Sequence, residues 1–353
     1  MGIQGINEFL RKKDIKFSKE MECKKFFGKR IAIDAGKLLF ESSCRVHKSL
    51  IMSLKNAAEK YSSRKFKSQF LEDALSGVLF FLKNKMYPII IFDGERHEAK
   101  DACRDKRRNN SDKLREKIHA TLEEYKAMME NPLEAGVNTI SDKELRRMRA
   151  NLPPYISKEN IEAFKEILES IGIPHFTAEY EAESLCCSLE SEGKVYAVYT
   201  SDTDCYAFGI SYMITKINPF NDKIEVTRIS KILDWISEEF DCEDEERNKK
   251  FLRDFCIMIG CDFNTRIPGI GPAKSLTILK QRRRIKKIKD FKTKCLNYKT
   301  CKKLLSPRET GISDISLEID TERTLSGLDS ISESSNSTEL RSLVKIVSKI
   351  LKK

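Results

Sequence analysis

The chain has 353 residues, 40% hydrophobic and 34% charged, which suits a soluble globular protein with one large core or two domains and argues against a fibrous or membrane-embedded class. A net charge of +11 favours an acidic partner, nucleic acid first, with ordinary solubility as the plainer reading. Eleven cysteines without a C-x-x-C pair, and four scattered histidines, argue against structural zinc.

Ile31-Ala32-Ile33 before Asp34 predicts a buried strand over 30–36, and Leu38, Leu39, Leu50 and Leu54 predict a helix over 37–58. Phe70, Leu71, Ala74, Leu75, Val78 and Leu82 recur at the helical period and predict a helix over 68–85. A strand over 87–92 then runs into Asp93. From Gly94 to about Pro153 the chain is highly charged and poor in large apolar residues; it reads as a solvated linker or as a helical insertion over a site. Ser157 opens a helix that runs to Gly172. A strand at 173–176, a helix at 180–191 and a strand at 194–199 continue the alternation, which argues for a mostly parallel sheet flanked by helices, an α/β fold.

Residues 211–227 read as two strands joined at Asn218-Pro219, and 229–240 and 248–260 as helices. A glycine-rich turn from Arg266 to Pro272 separates two helices, and 282–303 is strongly basic. Ser306 to about Ser337 is serine-rich, acidic and nearly free of aromatics, so disorder is expected there. Leu340 to Lys353 is either a short basic amphipathic helix or a solvated tail. No secretory leader is visible, no apolar run reaches transmembrane length, and the odd cysteine count suggests a reducing, intracellular compartment.

Three of the apolar runs end in or just before aspartate: Asp34, Asp93 and Asp202. In open α/β sheets, ligand sites form beyond the carboxyl ends of the strands. Glu181 and Glu183, Asp204 and Asp262 add four more acids. Each alone reads as well as a helix cap or a dipole partner. In a helix interior, residues two apart diverge by about 200°, so a site shared by Glu181 and Glu183 requires one of them at a helix end. Together, seven carboxylates without nearby histidine or cysteine select a hard cation such as Mg²⁺ or Mn²⁺. So many anions suit two ions roughly 3.5–4 Å apart, the arrangement that supports in-line phosphodiester hydrolysis.

Beside the acids, Lys100, Arg104 and Arg107 share one helix face directly after Asp93. They read as a phosphate clamp or as a solvated face laced by Glu98, Asp101 and Asp105. Gly269 and Gly271, followed by Lys274, form a turn whose backbone N–H groups can approach a phosphate. These elements suggest a groove that grips duplex backbone and feeds a strand to the metals.

With these residues the chain resembles the structure-specific 5′ nucleases, flap endonuclease branch. The motifs are Met1-Gly-Ile-Gln-Gly5, Ile33-Asp34-Ala35, Phe92-Asp93-Gly94, Glu179-Tyr-Glu-Ala-Glu183, Ser201-Asp-Thr-Asp-Cys205, Gly260-Cys-Asp262 and Ile267-Pro-Gly-Ile-Gly-Pro272, in family order over about 1–280. The resemblance implies two Mg²⁺ ions, replaceable by Mn²⁺, on Asp34, Asp93, Glu181, Glu183, Asp202, Asp204 and Asp262. It implies that Lys100 and Arg107 contact the scissile phosphate and that Gly2 lies near the site. The turn at Gly269–Gly271 becomes a helix–two-turn–helix that holds duplex, often with a potassium ion.

The implied organisation is a nuclease region at 1–93, a gateway and cap at 94–155, a second nuclease region at 156–262, the duplex-binding motif and a basic extension at 263–305, and a tail at 306–353. The implied partner is branched DNA (5′ flaps, nicks, gaps), bound by a monomer in the nucleus or at a site of viral DNA replication. Phe40 stands where the family usually has a base-stacking tyrosine, and a phenyl ring still stacks. Ala273 stands where a basic residue is common, and no sliding-clamp-binding box is found in the tail. A 5′–3′ exonuclease on duplex ends, and a DNA-binding homologue without chemistry, remain the competing readings.

Overall fold

Side-chain alternation in three central strands divides the molecule into two cores. In the computed structural model, which describes residues 2–130, 140–282, 284–285 and 293–352, Ile31 and Ile33 face one side of the sheet and Ala32 the other. Ile90 and Phe92, and Ala197 and Tyr199, repeat the first orientation; Ile89 and Ile91, and Val198, repeat the second. Strands buried on both faces need apolar residues at every position, which is why these segments read as unbroken runs.

In chain order the elements are α1 (Ile6–Lys12), β1 (Ser18–Glu22), β2 (Arg30–Asp34), α2 (Ala35–Met52), α3 (Ser63–Lys83) and β3 (Tyr87–Phe92). Next come α4 (Asp101–Glu130), α5 (Asp142–Ala150), α6 (Lys158–Ser170), β4 (His175–Thr177), α7 (Ala182–Ser191), β5 (Ala197–Tyr199) and α8 (Cys205–Phe208). The remainder are β6 (Tyr212–Asn218), β7 (Lys223–Arg228), α9 (Ile229–Phe240), α10 (Glu245–Ile259), α11 (Pro272–Arg282), α12 (Tyr298–Leu304), α13 (Thr321–Ser334) and α14 (Thr338–Leu351). The sheet order is β1-β7-β6-β5-β2-β3-β4. From β6 to β4 the strands run parallel, and β7 and β1 add an antiparallel edge. The expected α/β class and mostly parallel sheet are what the structure holds.

Capping residues set several boundaries that periodicity left loose. The Ser62 hydroxyl accepts from Lys65 N, so α3 starts at 63. The helix expected to reach 58 stops at Met52, and the Asn56 side chain then accepts from the N–H groups of Ala58 and Glu59, a local turn that competes with helix. β1 and α1 escaped the sequence reading. Ser-Lys-Glu-Met-Glu is an edge strand with an almost wholly exposed pattern, so it carries no alternation to read.

Among the described residues the insertion between β3 and α6 is mostly helical rather than a bare linker; 131–139 of the expected cap lie outside them. α5 begins with a complete capping box at Ser141 and Glu144. It docks on α2: the His47 ring is 2.9 Å from the Arg149 carbonyl oxygen, and Arg146 donates to the Leu54 carbonyl at 2.9 Å. Asp142 accepts from Ala57 N at 2.6 Å and from the Tyr125 hydroxyl at 2.9 Å, tying α4, α5 and the segment after α2 together.

The serine-rich tail corrects an expectation. Residues 321–334 and 338–351 are helices, capped by Asp320 and Ser337, and not a disordered segment. Leu328, Leu340, Val344 and Val347 are fully buried in the core that also contains α3 and α6. Leu340, Val344 and Val347 at helical spacing on α14, with Leu328 on α13, anchor the tail, although average composition pointed the other way. Of the two readings of the last segment, the amphipathic helix is the correct one.

Candidate active site

The seven acids arrive from five places on one edge of the sheet. Asp34 ends β2 and caps α2, accepting from Lys37 N at 3.1 Å. The cap and the site therefore coincide in one side chain: its other oxygen accepts from the Thr200 hydroxyl at 2.8 Å. Asp93 follows β3 and accepts from Ala182 N at 2.8 Å, which pins the start of α7 against that strand end. Glu181 is the residue before α7 and has extended dihedrals, so it can share a site with Glu183 in the first turn, as the angular argument required.

Asp202 and Asp204 lie between β5 and α8, where Asp204 N donates to Asp202 Oδ1 at 3.0 Å. Asp262 lies three residues beyond α10. Gly2 packs against this loop: a Cβ there would overlap Asp202 Oδ1 and stand 2.6 Å from Asp204 N, and its φ is +78°. Only glycine fits both demands. Ile3 N donates to the Thr203 hydroxyl at 2.7 Å and holds the chain start in place.

Carboxylate oxygens of Asp93, Glu181 and Glu183 lie within 4.8 Å of one another, and so do those of Glu183, Asp202 and Asp204. Glu183 belongs to both groups. Asp34 and Asp262 fall outside these two groups among the described residues. Both oxygens of Asp204 are buried without a hydrogen-bond partner. A carboxylate left so is costly unless a cation completes it.

Burial, followed by the nearby Asp93, pushes the Asp34 carboxyl up to about 6. Burial also raises Glu183, Asp204, Asp202 and Asp93, the first two well above the usual carboxylate range. An all-oxygen donor set of this density fits hard divalent cations.

Cations from the insertion face the acids. Lys100 is buried; it donates to Glu181 Oε2 at 2.5 Å and to Glu183 Oε1 at 3.4 Å, and lies 3.9 Å from Asp262. Burial opposes its charge, but Glu183 and Glu181 outweigh that and its pKa is raised. Arg104 donates to Glu181 Oε1 at 3.0 Å, and Arg107 to Asp262 Oδ2 at 2.5 Å. Lys100, in a 3₁₀ turn just before α4, and Arg104 and Arg107 on α4 all reach the carboxylates, while Arg104 also pairs with Asp101 at 3.3 Å and Arg107 stays 41% exposed.

Five of the acids, Asp34, Asp93, Glu181, Glu183 and Asp202, line one cleft of about 480 Å³ together with Lys100, Arg104, Arg107 and Phe40, which is 46% exposed at its wall; Asp204 and Asp262 do not line it. The sequence reading missed Thr200. Its buried hydroxyl donates to Asp34 and accepts from Asp202 N at 3.1 Å, linking two strand ends. Lys37 and Glu41 on the α2 wall, and Cys103, whose thiol donates to Asp262 Oδ1 at 3.4 Å, were missed as well. No motif marks any of them: Thr200 and Cys103 meet Asp34 and Asp262 across 166 and 159 residues, and the Lys37–Glu41 pair reads as an ordinary i, i+4 helix pair.

Gly269, Gly271 and Lys274 do not line this cleft. Gly269 and Gly271 lie in the turn between α10 and α11, where Gly269 has φ +75°, and Lys274, in the first turn of α11, donates from Nζ to the Gly269 carbonyl at 3.3 Å. Pro272 opens α11, a position that lacks an N–H to satisfy. Asn264 secures the turn by donating to the Ile257 and Leu296 carbonyls, both at 2.9 Å.

The XPG N-terminal domain matches residues 1–114 and the XPG I-region matches 172–262. Flap endonuclease 1 of Nematostella vectensis is 31% identical over 288 residues, covering 82% of this chain and 69% of that one. Flap endonuclease 1 of Aedes aegypti is 29% identical over 292 residues, covering 82% and 68%. Among solved structures, flap endonuclease-1 from Methanococcus jannaschii superimposes with a TM-score of 0.58 at 18% identity, covering 96% of this chain and 99% of that one. Human GEN1 in complex with Holliday junction DNA gives 0.56 at 14% identity, covering 98% and 77%. The fold is that of the structure-specific 5′ nucleases. Within that class, the chain belongs to the flap endonuclease family.

Proposed function

We propose that this protein hydrolyses DNA phosphodiesters at the junction between a 5′ single-stranded flap and duplex, using two divalent cations, Mg²⁺ in the cell. The observation that carries this reading is the pair of overlapping carboxylate groups meeting at Glu183, with Asp204 unpartnered, opposite Lys100 and Arg107. Asp93, Glu181 and Glu183 would hold one ion, and Glu183, Asp202 and Asp204 the other, with Asp34 and Asp262 at the margins. Bound there, the ions would supply a water-derived nucleophile and charge stabilisation for the leaving oxygen.

The chain's own residues do the rest. Lys100 and Arg107 keep positive charge facing the acids and are placed to meet a phosphate drawn between them. Phe40 offers a face for the base beside the cut. The exposed Gly269–Gly271 turn and the N-terminus of α11 offer backbone N–H groups to duplex phosphate. Residues 94–155 would act as gateway and cap over the threaded 5′ end. The protein would work as a monomer in DNA replication and repair, in the nucleus or at a viral replication site.

The test is a labelled 5′-flap substrate titrated with Mg²⁺ and mapped to the nucleotide. Cleavage at the junction is the expected result, whereas stepwise release of mononucleotides from a recessed 5′ end would assign an exonuclease instead. Asp202→Asn should abolish cutting while flap binding persists. Undiminished cleavage by that variant would remove Asp202 from the site.

A further inference from the structure

Lys37 is a charged side chain in the cleft to which the reading above gives no task. It lies one turn into α2, three residues beyond Asp34 and three before Phe40, so it shares a helix face with Phe40 at about 5–6 Å between Cβ atoms. Its side chain is 3% exposed. The ammonium donates to Glu41 Oε1 at 2.5 Å and stands 4.8 Å above the Tyr199 ring. The described residues lining the cleft include five such cations. Arg96, Lys100, Arg104 and Arg107 all come from the segment after β3, and Lys37 alone comes from α2.

We infer that Lys37 binds a backbone phosphate of the strand whose base stacks on Phe40, a substrate contact on the wall opposite Lys100. The inference rests on the flap-nuclease reading of the cleft. A strand lying over the carboxylates presents phosphates to both walls, and the α2 wall holds an aromatic face and a cation side by side. That pairing is what recognition of one stacked nucleotide requires.

The present partner of Lys37 is suited to release it. Glu41 keeps a second hydrogen bond from the Tyr199 hydroxyl at 2.8 Å, and Arg45 lies 4.0 Å from the same carboxylate. The Glu41 side chain is 34% exposed, so departure of Lys37 leaves no stranded buried charge. Tyr199, by contrast, is fully buried and gives the wall a fixed surface against which the lysine rests.

The experiment pairs Lys37→Met with flap substrates carrying one neutral methylphosphonate linkage at successive positions near the junction, read as single-turnover rates in Mg²⁺. In the wild type, one linkage beside the stacked base should slow cleavage about tenfold, the scale of one charge-assisted contact. Lys37→Met should be slowed about as much on the all-phosphate substrate and should lose sensitivity to that linkage only. Lys37→Arg should keep it.

Glu41→Gln breaks the ion pair while leaving the ammonium, and should also keep it; this variant carries the test if Lys37→Met fails to fold. Independent, multiplying effects of mutation and linkage at every position would overturn the contact. So would parallel losses in Lys37→Met and Glu41→Gln, which would make the pair a helix brace. A wild type that cuts no flap in Mg²⁺ would bring down the underlying reading, and the contact with it. An active wild type without coupling brings down only the contact.

Discussion

Arg107 Nη2 donates to Asp262 Oδ2 at 2.5 Å, joining residues 155 positions apart. The bond ties the base of the long insertion helix to the loop that follows α10, pairing a cation with a candidate metal ligand. Burial opposes the guanidinium charge, Asp262 more than offsets this, and the pKa of Arg107 is raised.

Arg107→Ala should therefore act twice. Single-turnover cleavage of a 5′ flap should fall at least about tenfold, because a charge facing the phosphate is gone. Metal-free melting temperature should also fall, since the Asp262 carboxylate, 7% exposed, loses its nearest counter-ion and keeps only the more distant Lys100 at 3.9 Å, and Mn²⁺ should recover most of that loss. Calorimetric Mn²⁺ titration and thermal melts check both parts. A variant with normal melting and normal rate would contradict the pairing.

The buried acids predict a pH-dependent metal effect. Asp34 titrates near 6, above its value in an unfolded chain, and burial raises Asp93, Glu183, Asp202 and Asp204 too. The folded metal-free state thus holds extra protons. Its stability from these groups is greatest below the unfolded value of about 4 and declines as pH rises through the folded values. Divalent cations offset the ionised cluster, so the melting increment from Mg²⁺ over a chelator should grow between about pH 5 and pH 7. A constant increment across that window would show that the carboxylates are not the binding groups.

Gly2→Ala tests the packing at the chain start. A Cβ at this position cannot coexist with Asp202 and the Asp204 amide as placed, and the positive φ adds strain for any side chain. The loop carrying two candidate ligands must move. Cleavage should fall by more than about tenfold, with a loss of stability on the order of 1–3 kcal/mol. Rates and urea melts measured together separate the two effects; a fully active variant would place Gly2 outside the site.

Leu328→Ala tests the folded tail. Leu328 is fully buried on α13 beside Val344 and Val347 of α14. The substitution should cost roughly 2–5 kcal/mol in urea denaturation, the usual range for leucine cavities. A disordered tail would give no change at all.

Much of the chemistry was legible before the fold. Apolar runs ending in acid place carboxylates at strand ends, because parallel strands bury both faces and leave their carboxyl ends to ligands. That logic is local, and it located Asp34, Asp93 and Asp202, while helical spacing separately picked out Lys100, Arg104 and Arg107. The tail misled because disorder was judged from average composition, whereas a few buried aliphatic residues, Leu328 on α13 and Leu340, Val344 and Val347 on α14, dock its two helices.

The sequence by itself determined which acids and cations exist and which strand ends deliver them, since strand burial and helix periodicity are properties of neighbouring residues. Only the tertiary structure decided how they combine. It made Glu183 common to two groups, left Asp204 without a partner, hung Asp34 and Asp202 on Thr200, and set Lys37 over the Tyr199 ring. Those relationships join distant segments, Asp34 and Thr200 across 166 residues, and so arise only when the sheet order brings the segments together.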